Sequence, residues 1–377
     1  MREPIRVLII DDSSLMRKLI SSFFNDMPDI EVIATAMNGR FGLHKMETLT
    51  PDVIILDLEM PEMNGIEFLK EKKRRGADTP VIILSSHAER GAKVTMEAIA
   101  AGASDFLLKP STDQGQALPD VSEHLVQLVR IYGALARKKT RPPAQDREMP
   151  VKPFPPPRKP EPPAPRRTPR RRPERIEVIA IGVSTGGPNA LRTILPQLRP
   201  DLDIPVLIVQ HMPPGFTEEF AYSLNRICDL KVKEAAEGDV ISGGRIFIAP
   251  GDRHILVRQR PLARVIELDD SPARYGHKPS VDVLFASVAG VYHNHACALI
   301  MTGMGKDGAE AIGDVYEEGG VTLAQDADTS IVFGMPKVAI GYGYIQRVLP
   351  LPDIPHFLNR INERERTADS PPDSLSG

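Results

Sequence analysis

The chain has 377 residues, of which 41% are apolar, and a formal net charge of −3. This length suffices for two domains of ordinary size, and the near-neutral charge gives no general attraction to nucleic acid. The longest apolar runs, such as "VIIL", are strand-sized, so membrane insertion is not expected. The beginning lacks the long apolar stretch of a signal peptide, and Cys228 and Cys297 are expected to be free thiols. The predicted location is therefore the reducing cytoplasm.

The first part of the chain alternates strand-like with helix-like runs. The apolar runs are "IRVLII", "IEVIATA", "DVIIL", "PVIIL" and "DFLL", and amphipathic segments such as "GIEFLKEKKRRG" follow them. Short apolar strands alternating with helices predict a parallel sheet covered on both faces. In such sheets the functional groups gather beyond the carboxyl ends of the strands.

Polar residues follow four of these strands. Asp11 and Asp12 follow the first, Asp57 the third, Ser85 the fourth and Lys109 the fifth. Three carboxylates in one crevice repel one another unless a cation neutralises them, and Mg²⁺ prefers such oxygen ligands. Each acidic stretch could instead be a helix cap or a turn. Suitable groups at four strand ends favour a phosphoryl-transfer site, in which an aspartate can form an acyl phosphate.

Residues 4–138 resemble a response-regulator receiver domain, which has a flavodoxin-like fold, and we assign residues 1–138 to it. The resemblance implies that Asp57 accepts the phosphoryl group and that Asp11 and Asp12 hold Mg²⁺. It also implies that the backbone carbonyl of Glu59 is a ligand of the metal. The expected phosphodonor is a histidine kinase.

The resemblance also implies the residues of a switch. Ser85 stands where the hydroxyl that senses the phosphoryl group is found, and Lys109 where the family has its characteristic lysine. Phe106 stands at the switch aromatic position, which is often tyrosine. Because Phe106 has no phenol oxygen, any coupling through its side chain has to rely on packing.

Residues 139–175 are predicted to be a linker. Between residues 141 and 175 there are 13 prolines, and 11 Lys or Arg stand against 4 Asp or Glu, a net charge of +7. Such a segment cannot form a core, and it is expected to be a semi-extended spacer, although docking on a partner domain or an acidic surface remains an alternative. Residues 365–377 are predicted to be a disordered tail.

Residues 176–364 again alternate strands and helices around a β-rich middle, "GRIFIAPGDRHILV" and "ARVIELDD". The polar residues at strand exits are Ser184, His211 and Asp307. Ser184 lies in the glycine-rich stretch "IGVSTGGPNA", which could bind phosphate or present a nucleophile. A Walker loop needs a Lys where Pro188 stands, and the glycine spacing does not fit a dinucleotide-binding fingerprint. A general anion site at the helix N-terminus remains possible.

The nucleophile interpretation uses the same residues more fully. Glycines on both sides of Ser184 permit a sharp turn, and Pro188 suits the first turn of a helix. His211 is a candidate base, and Asp307 a candidate partner that orients it. His211 could instead be an ordinary loop residue and Asp307 a helix cap. The order Ser, His, Asp along the chain disfavours an ordinary lipase or esterase.

This segment resembles the catalytic domain of the chemotaxis protein-glutamate methylesterases. The resemblance lies in "IGVSTGGP", "VQHMPPGFT", "IAPGDRHILV", "KPSVDVLFASVA", "LIMTGMGKDGAEA" and "AQDADTSIVFGMP". It implies that Ser184 is the nucleophile, His211 the base and Asp307 the orienting acid. It also implies oxyanion donors on the backbone N–H groups of Thr185 and Met304, and no cofactor in this domain.

The alternating strands and helices, together with these resemblances, predict two doubly wound parallel-sheet α/β domains, and the composition of residues 139–175 predicts a Pro/Arg-rich linker between them. The second resemblance makes a chemotaxis histidine kinase the expected phosphodonor. The two resemblances imply a phosphorylation-activated serine hydrolase that demethylates glutamate γ-methyl esters, and deamidates glutamines, on the cytoplasmic domains of chemoreceptors. Two alternatives are a DNA-binding output and a non-catalytic receptor-binding output. Residues 176–366 carry 18 Lys or Arg against 24 Asp or Glu. This net charge of −6 disfavours binding to nucleic acid.

Overall fold

The computed structural model describes residues 3–86, 89–110, 118–140 and 175–363, which divide into two compact units, 3–140 and 175–363. The predicted linker lies outside the described residues except at its ends, and so does the whole predicted tail. None of the described helices is both long and apolar enough to cross a membrane. Cys228 and Cys297 are free thiols, as predicted.

The first unit is a five-stranded parallel sheet with the strand order β2-β1-β3-β4-β5. Its central strands are buried on both faces, as their uninterrupted apolar sequences predict. The strands are β1 (Ile5–Ile10), β2 (Ile30–Ala36), β3 (Val53–Asp57), β4 (Val81–Ser85) and β5 (Asp105–Leu108). The helices are α1 (Ser14–Ser22), α2 (Gly39–Leu49), α3 (Gly65–Arg74), α4 (Glu89–Ala100) and α5 (Leu118–Thr140).

The second unit is a seven-stranded parallel sheet with the strand order β14-β13-β12-β6-β7-β9-β8, accompanied by the antiparallel hairpin β10-β11. The strands are β6 (Val178–Val183), β7 (Val206–Gln210), β8 (Lys231–Glu234), β9 (Arg245–Ile248), β10 (His254–Gln259), β11 (Arg264–Asp269), β12 (Ala296–Ile300), β13 (Val321–Gln325) and β14 (Arg347–Leu349). The helices are α6 (Gly187–Ile194), α7 (Phe216–Asn225), α8 (Val281–Tyr292), α9 (Ile312–Glu317), α10 (Met335–Tyr342) and α11 (Ile354–Asn359). Two parallel-sheet α/β domains are thus confirmed.

The strand order of the second unit determines which loops can meet. Strand β6 lies at the centre, with β12 on one side and β7 on the other. All three strands are fully buried and run in the same direction. The loops after these strands therefore emerge at one edge of the sheet, and they carry Ser184, His211 and Asp307.

Candidate functional sites

The first candidate site lies at the carboxyl ends of β1, β3 and β5. Lys109 Nζ is 2.8 Å from Asp57 Oδ2 and 3.2 Å from Asp11 Oδ2. Burial raises the pKa of the Asp57 carboxyl above its usual value; Lys109 opposes this rise and Asp11 adds to it. Burial by itself would lower the pKa of Lys109, but Asp57 and Asp11 hold it above its usual value. Lys109 is therefore charged and contributes positive charge beside the buried aspartate.

The same residues fit a divalent cation. Carboxylate oxygens of Asp11, Asp12 and Asp57 all lie within 4.8 Å of one another. Asp57 and Asp11 are buried, whereas Asp12 is exposed. The donor set consists only of hard oxygen atoms, which Mg²⁺ prefers. Glu59 is also close, since its backbone N–H donates to Asp57 Oδ1 at 3.4 Å.

Ser85 lies in the same cleft, whose lining includes Asp57, Ser85 and Lys109. Its hydroxyl accepts a hydrogen bond from the buried Thr95 hydroxyl at 2.6 Å, and is 3.4 Å from the carbonyl of Gly91. These contacts join the end of β4 to α4. Phe106 is partly buried and packs against the hydrophobic core of this unit.

The second candidate site is built around the turn that follows β6. Ser184 begins this turn, and its N–H donates to the Thr302 carbonyl at 3.0 Å. Gly186 precedes α6 with φ of +75°, a left-handed conformation that a side chain would strain. Pro188 lies in the first turn of α6, as predicted. The stretch therefore forms a tight strand-to-helix turn that leaves Ser184 partly exposed.

His211 and Asp307 form a close pair. His211 Nε2 is 2.8 Å from Asp307 Oδ2. The Asp307 carboxylate also accepts hydrogen bonds from Ser280 Oγ and the Val281 N–H, both at 2.7 Å. Burial by itself would raise the pKa of Asp307, but His211 and these donors hold it below its usual value. Asp307 is therefore ionised, and it accepts a hydrogen bond from the N–H at His211 Nε2.

This pairing determines which nitrogen of His211 can act as a base. Since Nε2 carries the proton toward Asp307, Nδ1 is unprotonated in the neutral ring. His211 Nδ1 is buried and has no hydrogen-bond partner among the described residues. Within the same residues the Ser184 hydroxyl makes no hydrogen bond either. Contacts between catalytic groups are often loose before substrate binds, and Nδ1 is the His211 nitrogen that has no partner among the described residues.

Two backbone N–H groups are candidate oxyanion donors. In the described part of the chain, the N–H groups of Thr185 and Met304 have no acceptor. Their loops are held together by Thr302, whose hydroxyl donates to the Thr185 carbonyl at 2.9 Å and accepts from the Val332 N–H at 3.0 Å. Unengaged N–H groups on fixed loops can stabilise a developing oxyanion.

Sequence reasoning missed two contacts in this site. The His277 ring stacks on His211 with centroids 3.9 Å apart and planes 9° from parallel. Ser280 precedes α8 and binds Asp307 instead of capping its own helix. Both lie in or beside the stretch "KPSVDVLFASVA". In the sequence this stretch is a polar segment followed by an apolar helix. Such a pattern does not indicate which strand end the polar segment will contact.

Comparisons with known proteins cover both units. Residues 179–358 match the CheB methylesterase family, and residues 7–117 match the response regulator receiver domain family. A protein-glutamate methylesterase/protein-glutamine glutaminase of Treponema denticola is 50% identical over 372 residues, covering 96% of this chain and 99% of the relative.

A second such protein, from Koribacter versatilis, is 48% identical over 372 residues, covering 94% of this chain and 95% of the relative. The crystal structure of the Thermotoga maritima CheB methylesterase catalytic domain is 39% identical. The match covers 50% of this chain and 100% of the Thermotoga maritima domain, with a TM-score of 0.49.

Proposed function

Because this chain belongs to the family of receiver-linked CheB protein-glutamate methylesterases, we propose that it hydrolyses glutamyl γ-methyl esters on the cytoplasmic domains of chemoreceptors. We include hydrolysis of glutamine γ-amides at the same site, since the relatives are named for both activities. The domains extend over residues 1–138 and 176–364 in this proposal, joined by the linker 139–175. The two free thiols support a cytoplasmic location.

The chemistry follows from the arrangement of three side chains. Ser184 Oγ attacks the ester carbonyl carbon while His211 Nδ1 takes the hydroxyl proton, and Asp307 stabilises the resulting imidazolium. The N–H groups of Thr185 and Met304 donate to the oxyanion. His211 returns the proton to the leaving methoxide, and methanol departs. His211 then takes a proton from water, whose oxygen attacks the acyl-enzyme, and gives this proton to Ser184 Oγ as the acyl bond breaks. The product acid leaves as the glutamate carboxylate after it loses its proton to solvent. With an amide substrate, ammonia departs instead.

A single observation carries this assignment. His211 is hydrogen-bonded to an ionised Asp307 through Nε2, and its buried Nδ1 has no partner within the part of the chain that the structure describes. A histidine that served only to support the loop would be expected to use both nitrogens when buried. The unused Nδ1 supports a role in which a substrate or the nucleophile supplies the missing contact.

The receiver domain supplies the regulation in this proposal. A chemotaxis histidine kinase transfers a phosphoryl group to Asp57, forming an acyl phosphate. Asp11, Asp12, Asp57 and the backbone carbonyl of Glu59 would hold Mg²⁺, which offsets the negative charge of the phosphoryl group. Lys109 holds a phosphoryl oxygen. The Ser85 hydroxyl then exchanges its Thr95 contact for the phosphoryl group, and Phe106 responds through packing. Neither domain is proposed to bind nucleic acid.

Methanol release from methylated chemoreceptor membranes tests the hydrolase. We expect Ser184→Ala to lower the rate by about 10⁴-fold or more, since nothing else in the site can replace the nucleophile. Ser223→Ala is a matched control, because Ser223 lies on α7 and its hydroxyl accepts a hydrogen bond from Arg192 at 2.8 Å. Full methanol release by Ser184→Ala would contradict the proposal and favour a non-catalytic receptor-binding output.

A further inference from the structure

The side chain of Gln210 connects the two turns that carry the proposed nucleophile and base. Gln210 is the last residue of β7, immediately before His211, and is only 2% exposed. Its Nε2 donates to the Ser184 carbonyl at 3.1 Å and to the His211 carbonyl at 3.1 Å. Both amide protons of one side chain are therefore used on the backbone of these two residues.

The orientation of this amide follows from its neighbours. A reversed amide would place its oxygen against two carbonyl oxygens, which cannot donate. In the observed orientation Gln210 Oε1 is buried and has no partner among the described residues. Burying an unpaired acceptor costs about 1–3 kcal/mol. The free energy gained from the two donor contacts therefore has to exceed the cost of the unpaired oxygen.

Gly187 reserves the space for this side chain. A Cβ atom on Gly187 would lie 2.0 Å from Gln210 Oε1, which is far inside contact distance. The Gly187 N–H also donates to the Ser184 carbonyl at 2.8 Å, so that carbonyl accepts two hydrogen bonds. The glycine-rich turn is therefore shaped around Gln210 as well as around Ser184.

Among the described residues, one backbone hydrogen bond joins the two turns beyond the strand ladder. The ladder between β6 and β7 ends at the pair Val183 and Gln210, and the His211 N–H donates to the Val183 carbonyl at 3.2 Å. Beyond that bond, the His211 carbonyl accepts from Gln210 alone among the described residues. Beyond the strand pairing, the Gln210 amide therefore adds a side-chain connection between the Ser184 turn and the His211 turn.

We propose that Gln210 is a positioning residue that holds the Ser184 hydroxyl and the His211 ring in register for proton transfer. This inference rests on the proposed function of Ser184 and His211. Gln210 does not touch the reacting atoms. Its effect is geometric, and misplacement of reacting groups by about 1 Å costs about 10²-fold in rate.

The test compares variants of the full-length protein by kcat per active site. Gln210→Met keeps the length of the side chain and removes both donors, and Gln210→Glu keeps the shape with a carboxylate in place of the amide. A phosphonofluoridate that labels the nucleophilic serine counts the competent sites, so losses from misfolding are removed from kcat. We expect kcat per labelled site to fall by about 10- to 100-fold in both variants with little change in KM, and labelling to slow in parallel.

Gln346→Met is the matched control. Gln346 Nε2 donates to the Gly320 carbonyl at 3.1 Å, and its Oε1 accepts from the Thr322 N–H at 3.3 Å, near the amino end of β13. This variant also loses two hydrogen bonds to the backbone, but at the amino ends of the strands, whereas Ser184 and His211 follow the carboxyl ends. It should lose stability while keeping kcat per labelled site.

The possible results separate the inference from its premise. Equal kcat per labelled site in Gln210→Met, Gln210→Glu and Gln346→Met would overturn the positioning role, because the amide would then be purely structural. Methanol release by Ser184→Ala, or labelling of a different residue, would overturn the proposed site itself. If Gln210→Met yields no folded protein, Gln210→Glu decides the question by the same measurement.

Discussion

At the scale of single residues, the stack of His277 on His211 restricts the plane of the proposed base. The ring centroids are 3.9 Å apart and the planes differ by 9°, while one edge of His211 is held by Asp307. We expect His277→Ala to lower kcat for methanol release by about 10-fold, because the imidazole can then rotate away from the serine and admit water. His277→Phe should keep most of the activity, since a phenyl ring provides the same flat surface.

His293→Ala is the control for this pair of variants. His293 is exposed and its Nδ1 lies 3.0 Å from Glu318, outside the site. Its replacement should leave kcat unchanged. If His277→Phe is as impaired as His277→Ala, the ring nitrogens of His277 rather than its flat surface would be responsible.

At the scale of elements, the N-terminus of α8 stabilises the charge of Asp307. Besides the Ser280 hydroxyl and the Val281 N–H, the Asp282 N–H donates to this carboxylate at 3.1 Å. Unpaired N–H groups and the helix dipole both favour an anion there. We expect Asp307→Asn to lower kcat by about 10⁴-fold. The amide can neither fix the neutral tautomer of His211 nor stabilise the imidazolium that forms during the reaction. Methanol release by the purified variant measures this loss.

The pH dependence of stability follows from the same contacts. The pKa of Asp307 is lowered in the folded protein, so its ionisation stabilises the fold fully above the unfolded pKa of about 3.9. That stabilisation is lost as the pH falls through the folded value. The unfolding free energy of Asp307→Asn, measured with urea, should therefore lie about 1–3 kcal/mol below that of the natural protein at neutral pH. The gap should shrink in acid.

Asp201→Asn serves as the comparison for this measurement. Asp201 is exposed and forms an ion pair with Arg199 at 2.6 Å, and this contact lowers its pKa. An exposed pair contributes little to stability, so the variant should unfold like the natural protein at every pH. A gap for Asp307→Asn that stayed constant down to strongly acidic pH would show that packing, and not charge, causes the difference.

The secondary-structure elements also show which features of the fold and the site could be predicted from the sequence. The parallel sheets were predictable because buried strands are uninterrupted apolar runs, and the candidate residues were predictable because each follows such a run. The short strands β8 and β14 and the helices α10 and α11 were not part of the prediction. Nor were the contacts of Gln210 and His277, because they depend on which strands are neighbours. Residues 26 apart, such as Ser184 and Gln210, meet only through the strand order.

At the scale of the whole molecule, the chain carries two candidate sites, and the proposed function requires the first to control the second. In the receiver domain Asp57 is buried, has a raised pKa and is paired with Lys109. Phosphorylation would add negative charge there. The hydrogen bonds of Ser85 with Thr95 and Gly91 connect this position to α4. In this proposal the packing of β4 against α4 carries the change away from the phosphoryl site.

Replacement of Asp57, the proposed phosphoacceptor, tests this coupling. We expect acetyl phosphate with Mg²⁺ to raise kcat/KM of the full-length natural protein, and EDTA to abolish that rise. Asp57→Ala should show no stimulation, because the variant has no carboxylate to form the acyl phosphate. Asp29→Ala is the matched control, since Asp29 is a receiver carboxylate paired with Arg130 at 2.7 Å on the surface. Stimulation that persists in Asp57→Ala would show that the phosphodonor acts elsewhere, and the proposed control of the hydrolase through Asp57 would be wrong.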